Sequence, residues 1–242
     1  MRRVGLALSG GSVRGIAHIG VMKALSERAI RPAIVVGTSV GSLIGAGIAA
    51  GMDWQELQRM AEAVFWPSLL NGGNLERFCE RYLPASFADL ALPFAAVATT
   101  LPGKRTVVLQ TGKLASAISA SCAIRGVRRS VSLDGESLKD GGISCVLPTC
   151  ECRELGADII IASDVWAYSA FLRRFGINQA HPHAPRVYPR HYMQAVKSSN
   201  LLIQPQLPVK IYIPRRASIE QLITAGEAAT RRALSSFPGS LS

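Results

Sequence analysis

Short runs in which almost every position is apolar alternate along this chain with longer stretches whose apolar residues recur every three to four positions. Runs at Arg3 to Leu8, Ile34 to Val36, Phe94 to Thr99 and Asp158 to Ser163 have the length and continuity of strands buried on both faces. The helical pattern runs from Ile16 to Arg28, Val40 to Ala50, Trp54 to Phe65, Leu75 to Leu83 and Lys113 to Ala120, and again through Glu151 to Leu155, where Gly156 ends it. Asp53 and Glu56 form a capping box ahead of Trp54, whereas Asn71-Gly72-Gly73 reads as a break. Pro102-Gly103-Lys104 turns the chain into a strand at Thr106 to Gln110, and Asp134-Gly135 turns a hairpin that leads to Asp140. Strands alternating with helices predict an α/β fold, with a mainly parallel sheet covered by helices on both faces.

Residues 165–200 break the pattern. Trp166, Phe171 and Phe175 are interleaved there with Arg173 and Arg174 and punctuated by prolines. The mixture reads as a lid or a membrane-docking segment, with a long irregular loop packed on the core as the alternative. Short strands at Leu201 to Ile203 and Val209 to Ile213, then a helix capped by Ser218, close the chain. The expected organisation is one domain over residues 1–242, with a core at 3–165, the aromatic and basic segment at 165–200, and the C-terminal strands and helix at 201–236.

Composition narrows the class of protein. With 242 residues, 48% of them hydrophobic, the chain can bury a sizeable core. Its most apolar long stretch, Val40 to Met52, is too short to span a bilayer. A formal charge of +11, carried mostly by arginine, points to an anionic partner. The arginines are dispersed in pairs with no accompanying nucleic-acid motif, so an anionic membrane surface is favoured over nucleic acid. Five cysteines without regular spacing suit a reducing compartment, hence the cytoplasm with at most peripheral membrane contact. Cys150-x-Cys152 lacks a second ligand pair, so neither zinc nor another metal or cofactor is expected.

The candidate chemistry lies in two glycine-rich turns and one aspartate. Gly37-Thr38-Ser39-Val40-Gly41 has the G-x-S-x-G form of a strand-to-helix elbow that exposes a serine hydroxyl, making Ser39 the candidate nucleophile. The earlier turn, Ser9 to Gly15, follows a strand and opens a helix. It fits neither the dinucleotide fingerprint, because Ser12 stands where a second glycine is needed, nor the P-loop, because it lacks Gly-Lys-Ser/Thr. What remains is a turn whose backbone N–H groups can receive a developing oxyanion. Asp140 precedes Gly141-Gly142, on a tight loop at the end of a strand-like segment.

The loop Gly10-Gly11-Ser12-Val13-Arg14-Gly15, the elbow at Ser39, the segment Ala120-Ser121-Cys122-Ala123-Ile124 and Asp140-Gly141-Gly142 resemble, in order and spacing, the patatin-like phospholipase family. The resemblance runs from Val4 through Val165. It implies a three-layer α/β/α fold and hydrolysis of lipid acyl esters, with a phospholipid or lysophospholipid as substrate. It also implies a Ser39–Asp140 dyad and an oxyanion hole from Gly10, Gly11, Ser12 and Val13, supported by Arg14, Gly15, Gly37, Gly41, Gly141 and Gly142. The chain departs from the family at Ser12, where glycine is usual, at Arg125, where proline is usual, and near Ser144 and Cys145, where asparagines are usual. Two alternatives stay open on the residues alone. One is an α/β-hydrolase triad of Ser39, Asp140 and one of His181, His183 or His191; the other is a non-catalytic basic module.

Overall fold

The computed structural model describes residues 2–166, 190–207 and 214–237. Its strands are β1 (Val4–Leu8), β2 (Ile34–Thr38), β3 (Phe94–Thr100), β4 (Thr106–Leu109), β5 (Val131–Leu133), β6 (Glu136–Asp140), β7 (Ile159–Ser163) and β8 (Leu201–Ile203). They form one sheet in the order β5-β6-β3-β2-β1-β7-β8, with β4 pairing β3 off this path. The central part, from β3 through β8, is parallel, and β4, β5 and β6 add antiparallel pairs at one side.

The helices are α1 (Ala17–Glu27), α2 (Val40–Ala49), α3 (Trp54–Glu62), α4 (Gly72–Tyr82), α5 (Leu114–Ser121), α6 (Thr149–Glu154), α7 (Arg190–Ser198) and α8 (Arg216–Ser235). Alternation along the strands divides them into two layers. Leu6 and Leu8 of β1 and Val35 of β2 pack into the large core shared with α1, α2, α3, α4, α5 and α8. Ala7, Ile34 and Val36 point the other way, toward Cys152 of α6, and Ala162 of β7 meets Tyr192 and Ala195 of α7. Because β1 and β2 are buried at every position, they read as unbroken apolar runs. The expected α/β fold, a mainly parallel sheet between two helical layers, is therefore observed. Among the described residues, no helix is long and apolar enough to cross a membrane.

Several local expectations are corrected. Asn71-Gly72-Gly73 starts α4 rather than breaking the chain, because the Asn71 side chain accepts the Asn74 N–H and caps the helix. The last helix begins at Arg216 with Arg215 at its N-cap, so Ser218 lies inside its first turn and caps nothing. Residues 190–198, for which no helix was expected within the 165–200 segment, form α7, whose Tyr192 and Ala195 are buried. The predicted strand at 209–213 lies outside the described residues. The capping box at Asp53 and Glu56 is present with both reciprocal bonds.

One buried histidine ties α1 to the strand ends beneath it. His18 Nε2 lies 3.0 Å from the Ser9 carbonyl, which can only accept, so Nε2 carries the proton and Nδ1 accepts the Ser163 hydroxyl at 2.7 Å. Burial holds His18 neutral, with its pKa lowered from 6.5 to about 4. The unfolded chain therefore takes up a proton that the folded protein refuses, and stability is lost as pH falls from 6.5 toward 4. Urea denaturation of the parent should show this loss, up to roughly 3 kcal/mol. For His18→Gln the loss should be absent, so that parent and variant converge in acid.

Candidate active site

The elbow joins β2 to α2 with no intervening loop. Ser39, the N-cap of α2, adopts φ 54° and ψ −126°, a conformation that costs an L-residue about 1–3 kcal/mol and persists only where its surroundings enforce it. Here the surroundings do. A Cβ on Gly37 would collide with the Gly41 carbonyl, and one on Gly41 with the Leu8 carbonyl, so both glycines are required by close backbone approach. The Ser39 N–H donates to Ser121 Oγ at 2.8 Å, and the Ser121 hydroxyl donates to the Val97 carbonyl at 2.6 Å. Ser42 closes the other side, its amide at 2.8 Å and its hydroxyl at 2.6 Å both donating to the Ser39 carbonyl. Ser121 thus holds the elbow from a helix 82 residues away in sequence.

Asp140 reaches Ser39 from the antiparallel side of the sheet. The turn at Asp134 and Gly135, with φ of 48° and 79°, folds β6 back along β5 and sets Asp140 opposite Ala98 of β3. The Ser39 hydroxyl donates to Asp140 Oδ2 at 2.7 Å, while Oδ1 accepts the Gly142 N–H at 2.8 Å. The peptide is fixed as well: the Asp140 N–H donates to the Ala123 carbonyl at 3.0 Å, and Thr99 Oγ1 donates to the Asp140 carbonyl at 3.0 Å. Gly141 packs so closely on the Val97 carbonyl that a Cβ would collide with it. Burial raises the Asp140 pKa above the usual carboxylate range; the Ser39 hydroxyl, the Gly142 amide and the Arg128 charge oppose that rise. The departures at Ser144 and Cys145 leave this loop anchored, since Thr99 and Thr106 both reach Ser144 Oγ at 2.9 Å and Thr38 Oγ1 donates to the Cys145 carbonyl at 2.9 Å. Arg125 is exposed at the turn that follows Ile124.

The first glycine turn ends β1 beside the elbow and continues as a short 3-10 helix, Ser12–Ile16. Gly10 must be removed from the expected oxyanion set, because its N–H already donates to the Val146 carbonyl at 2.9 Å. Gly11, Ser12 and Val13 precede the first donors used inside the 3-10 helix, so their amides are free of backbone acceptors among the described residues. Ser12, where the family has glycine, does sit at a positive φ of 55°. Gly15 lets this turn close on Val40 of the elbow, and Arg14 is half-buried within it.

Ser12, Val13 and Ser39 open onto an apolar groove whose walls include Val40, Leu43, Trp66, Leu69, Leu75 and Ile124. Cys122 also lines it, but burial pushes that thiol up to about 12, so it stays protonated. Neither described histidine touches the pair: His18 is committed to Ser163 and Ser9, and His191 lies on α7, its pKa lowered by burial. His181 and His183 lie outside the described residues, as do Phe171, Arg173, Arg174 and Phe175 of the expected docking segment. Trp166, the remaining member, is half-buried and packs on Tyr192 with ring centroids 4.9 Å apart. Among the described residues, no cluster of three His, Cys, Asp or Glu side chains could hold a metal.

A profile of the patatin-like phospholipase family matches residues 6–149. The chain is 38% identical over 175 residues to an uncharacterized NTE family protein of Mycobacterium tuberculosis, covering 66% of this chain and 48% of that protein. It is 32% identical over 185 residues to lysophospholipase nte1 of Emericella nidulans, covering 68% of this chain and 12% of the fungal protein. The chain thus spans about half the length of the first relative and a small part of the second. Among solved structures, VipD from Legionella pneumophila superposes with a TM-score of 0.66 at 14% identity, over 98% of this chain and 67% of that one, a likeness of fold.

The raised Asp140 pKa makes a stability prediction. Below the unfolded-state pKa of about 3.9 the carboxyl is neutral in both states and costs nothing; as pH rises through the higher folded value, ionising it in the buried site removes stability. Asp140→Asn should therefore be more stable than the parent at pH 7, with the gap closing in acid, as read by chemical denaturation.

Proposed function

Because the chain belongs to the patatin-like phospholipase family, we propose that it is a serine esterase that hydrolyses acyl esters of phospholipids or lysophospholipids, using Ser39 and Asp140 without a histidine. The observation that carries this reading is the 2.7 Å bond from the Ser39 hydroxyl to Asp140 Oδ2, at the edge of an apolar groove lined by Leu43, Trp66 and Leu75. The relative named a lysophospholipase supports the substrate class. We read the chain as a single acyl-hydrolase domain that meets its lipid at a membrane surface.

In this mechanism the ester carbonyl lies over Ser39 with its acyl chain along Leu43, Trp66 and Leu75. Ser39 Oγ attacks the carbonyl carbon as its proton passes to Asp140 Oδ2. The amides of Gly11, Ser12 and Val13 receive the charge that develops on the carbonyl oxygen, a type of contribution whose single donors are worth about 3–4 kcal/mol elsewhere. Collapse breaks the bond to the alcohol oxygen, which takes the proton from Asp140 and leaves an acyl group on Ser39. Water then attacks that acyl carbon, gives its proton to Asp140, and the Ser39 oxygen regains it as the fatty acid departs. A raised Asp140 pKa suits both halves, since the same group must accept and return a proton.

The test is labelling with a fluorophosphonate and mapping the modified residue. Ser39 should carry the label, and Ser39→Ala should abolish both labelling and ester hydrolysis while remaining folded; a label on another serine would overturn the assignment. Asp140→Asn should lower the rate by at least ~10²-fold. In the parent, the rate should climb with pH to a plateau, with a midpoint above about 3.9, the ordinary aspartate value. Replacing His181, His183 and His191 together should leave hydrolysis nearly intact, whereas its collapse in a folded triple variant would favour the conventional triad.

A further inference from the structure

Three large apolar side chains are exposed among the described residues: Phe65 at 63%, Val127 at 57% and Leu70 at 45%. Of the three, Leu70 lines the groove beside Ser39. Phe65 immediately precedes Trp66, which lines the same groove. Leu70 and Val127 then share the lining of an adjoining, more polar groove. In the rest of the described surface, every residue of this size and character is at least partly packed away.

The loop that carries Val127 is also basic. Arg125 and Arg129 are exposed, Arg128 is half-buried, and none of the three forms an ion pair with a carboxylate among the described residues. Arg128 donates instead to neutral acceptors, the Cys122 carbonyl at 3.1 Å and Ser119 Oγ at 2.7 Å. Glu76 is the one carboxylate lining the polar groove, against Arg128 and Arg129 in the same lining, so positive charge is in excess there. Apolar tips beside uncompensated guanidinium groups complement the phosphate layer and acyl boundary of an anionic bilayer.

We propose that this rim, formed by Phe65, Leu70 and Val127 with Arg125 and Arg129, is the membrane-docking surface, and that it sets the mouth of the acyl groove against an anionic lipid monolayer. This rests on the lipid-hydrolase reading above, and it moves docking away from residues 165–200. Phe65, Leu70 and Val127 enter the headgroup boundary while the arginines meet lipid phosphates, so a lipid can pass to Ser39 without its acyl chain crossing water. The attraction has a screened part, from the arginines, and an unscreened part, from the apolar tips.

The test separates docking from chemistry by using the full chain carrying Ser39→Ala in vesicle sedimentation. The vesicles are phosphatidylcholine alone or phosphatidylcholine with 30 mol%, roughly the share of a strongly anionic leaflet, of phosphatidylserine. The Ser39→Ala protein should bind the anionic vesicles, and binding should weaken as salt rises. Adding Arg125→Glu and Arg129→Glu should lower the partition coefficient by about 25-fold or more, at about fivefold per cation removed. Adding Phe65→Ser and Val127→Ser instead should lower it by about tenfold or more at every salt concentration, with thermal unfolding unchanged. Equal binding to both vesicle types, or rim variants that bind like their parent, would overturn the proposal. So would a loss seen only with Arg173→Glu plus Arg174→Glu. Hydrolysis of a soluble short-chain ester, measured with Ser39 restored, reads the other claim: if it is absent in the parent the esterase reading falls, whatever the vesicles show.

Discussion

The site depends on one backbone contact: the first turn of α2 lying against the end of β1. Gly41 meets the Leu8 carbonyl with no room for a side chain, and Ser39, two residues ahead of it, holds a positive-φ conformation. The same strand end leads directly into the amides of Gly11, Ser12 and Val13. The serine hydroxyl and the free N–H groups are therefore placed by one piece of backbone. Ser121 and Ser42 then bond the Ser39 peptide from two sides, which distributes the cost of the strain over α2, α5 and β3.

Electrostatics at the site follow from the same enclosure. Asp140 is withdrawn from water at the end of β6, and the bonds it accepts from Ser39 and Gly142 compensate its burial only in part. Arg128 acts on it as a charge at a distance, through a guanidinium that itself bonds only neutral oxygens. The result is a carboxyl whose pKa is raised, at a cost in folding stability near neutral pH. His18 shows the opposite use of burial. It is kept neutral as a structural tie between α1, Ser9 and Ser163, and it takes no part in the Ser39 pair.

Much of the fold was legible because its signals are local. The apolar runs at β1, β2, β3 and β7 mark strands covered on both faces, and the Asp53–Glu56 capping box is formed by residues three apart. The misreadings came where a local signal has two meanings. Asn71-Gly72-Gly73 carries the composition of a break, yet its asparagine is a helix cap. Residues 190–198 were submerged in the prolines and aromatics that precede them, although Tyr192 and Ala195 supply a buried face to a helix. Ser218 has the residue type of a cap, but the helix begins ahead of it.

By itself, the sequence determined the layered α/β fold, the elbow that raises Ser39, and the Asp134-Gly135 turn that carries the chain back to Asp140. Each rests on periodicity or on backbone preferences within a few residues. Only the tertiary structure decided what those parts meet. It brought Ser39 and Asp140 together across 101 residues, recruited Ser121 to hold the elbow, and set Arg128 within electrostatic range of the carboxyl. It also withdrew the Gly10 amide from the free donors by pairing it with Val146. Those outcomes follow from sheet order and from which backbone groups find partners, and a donor's availability is a property of its neighbours in space.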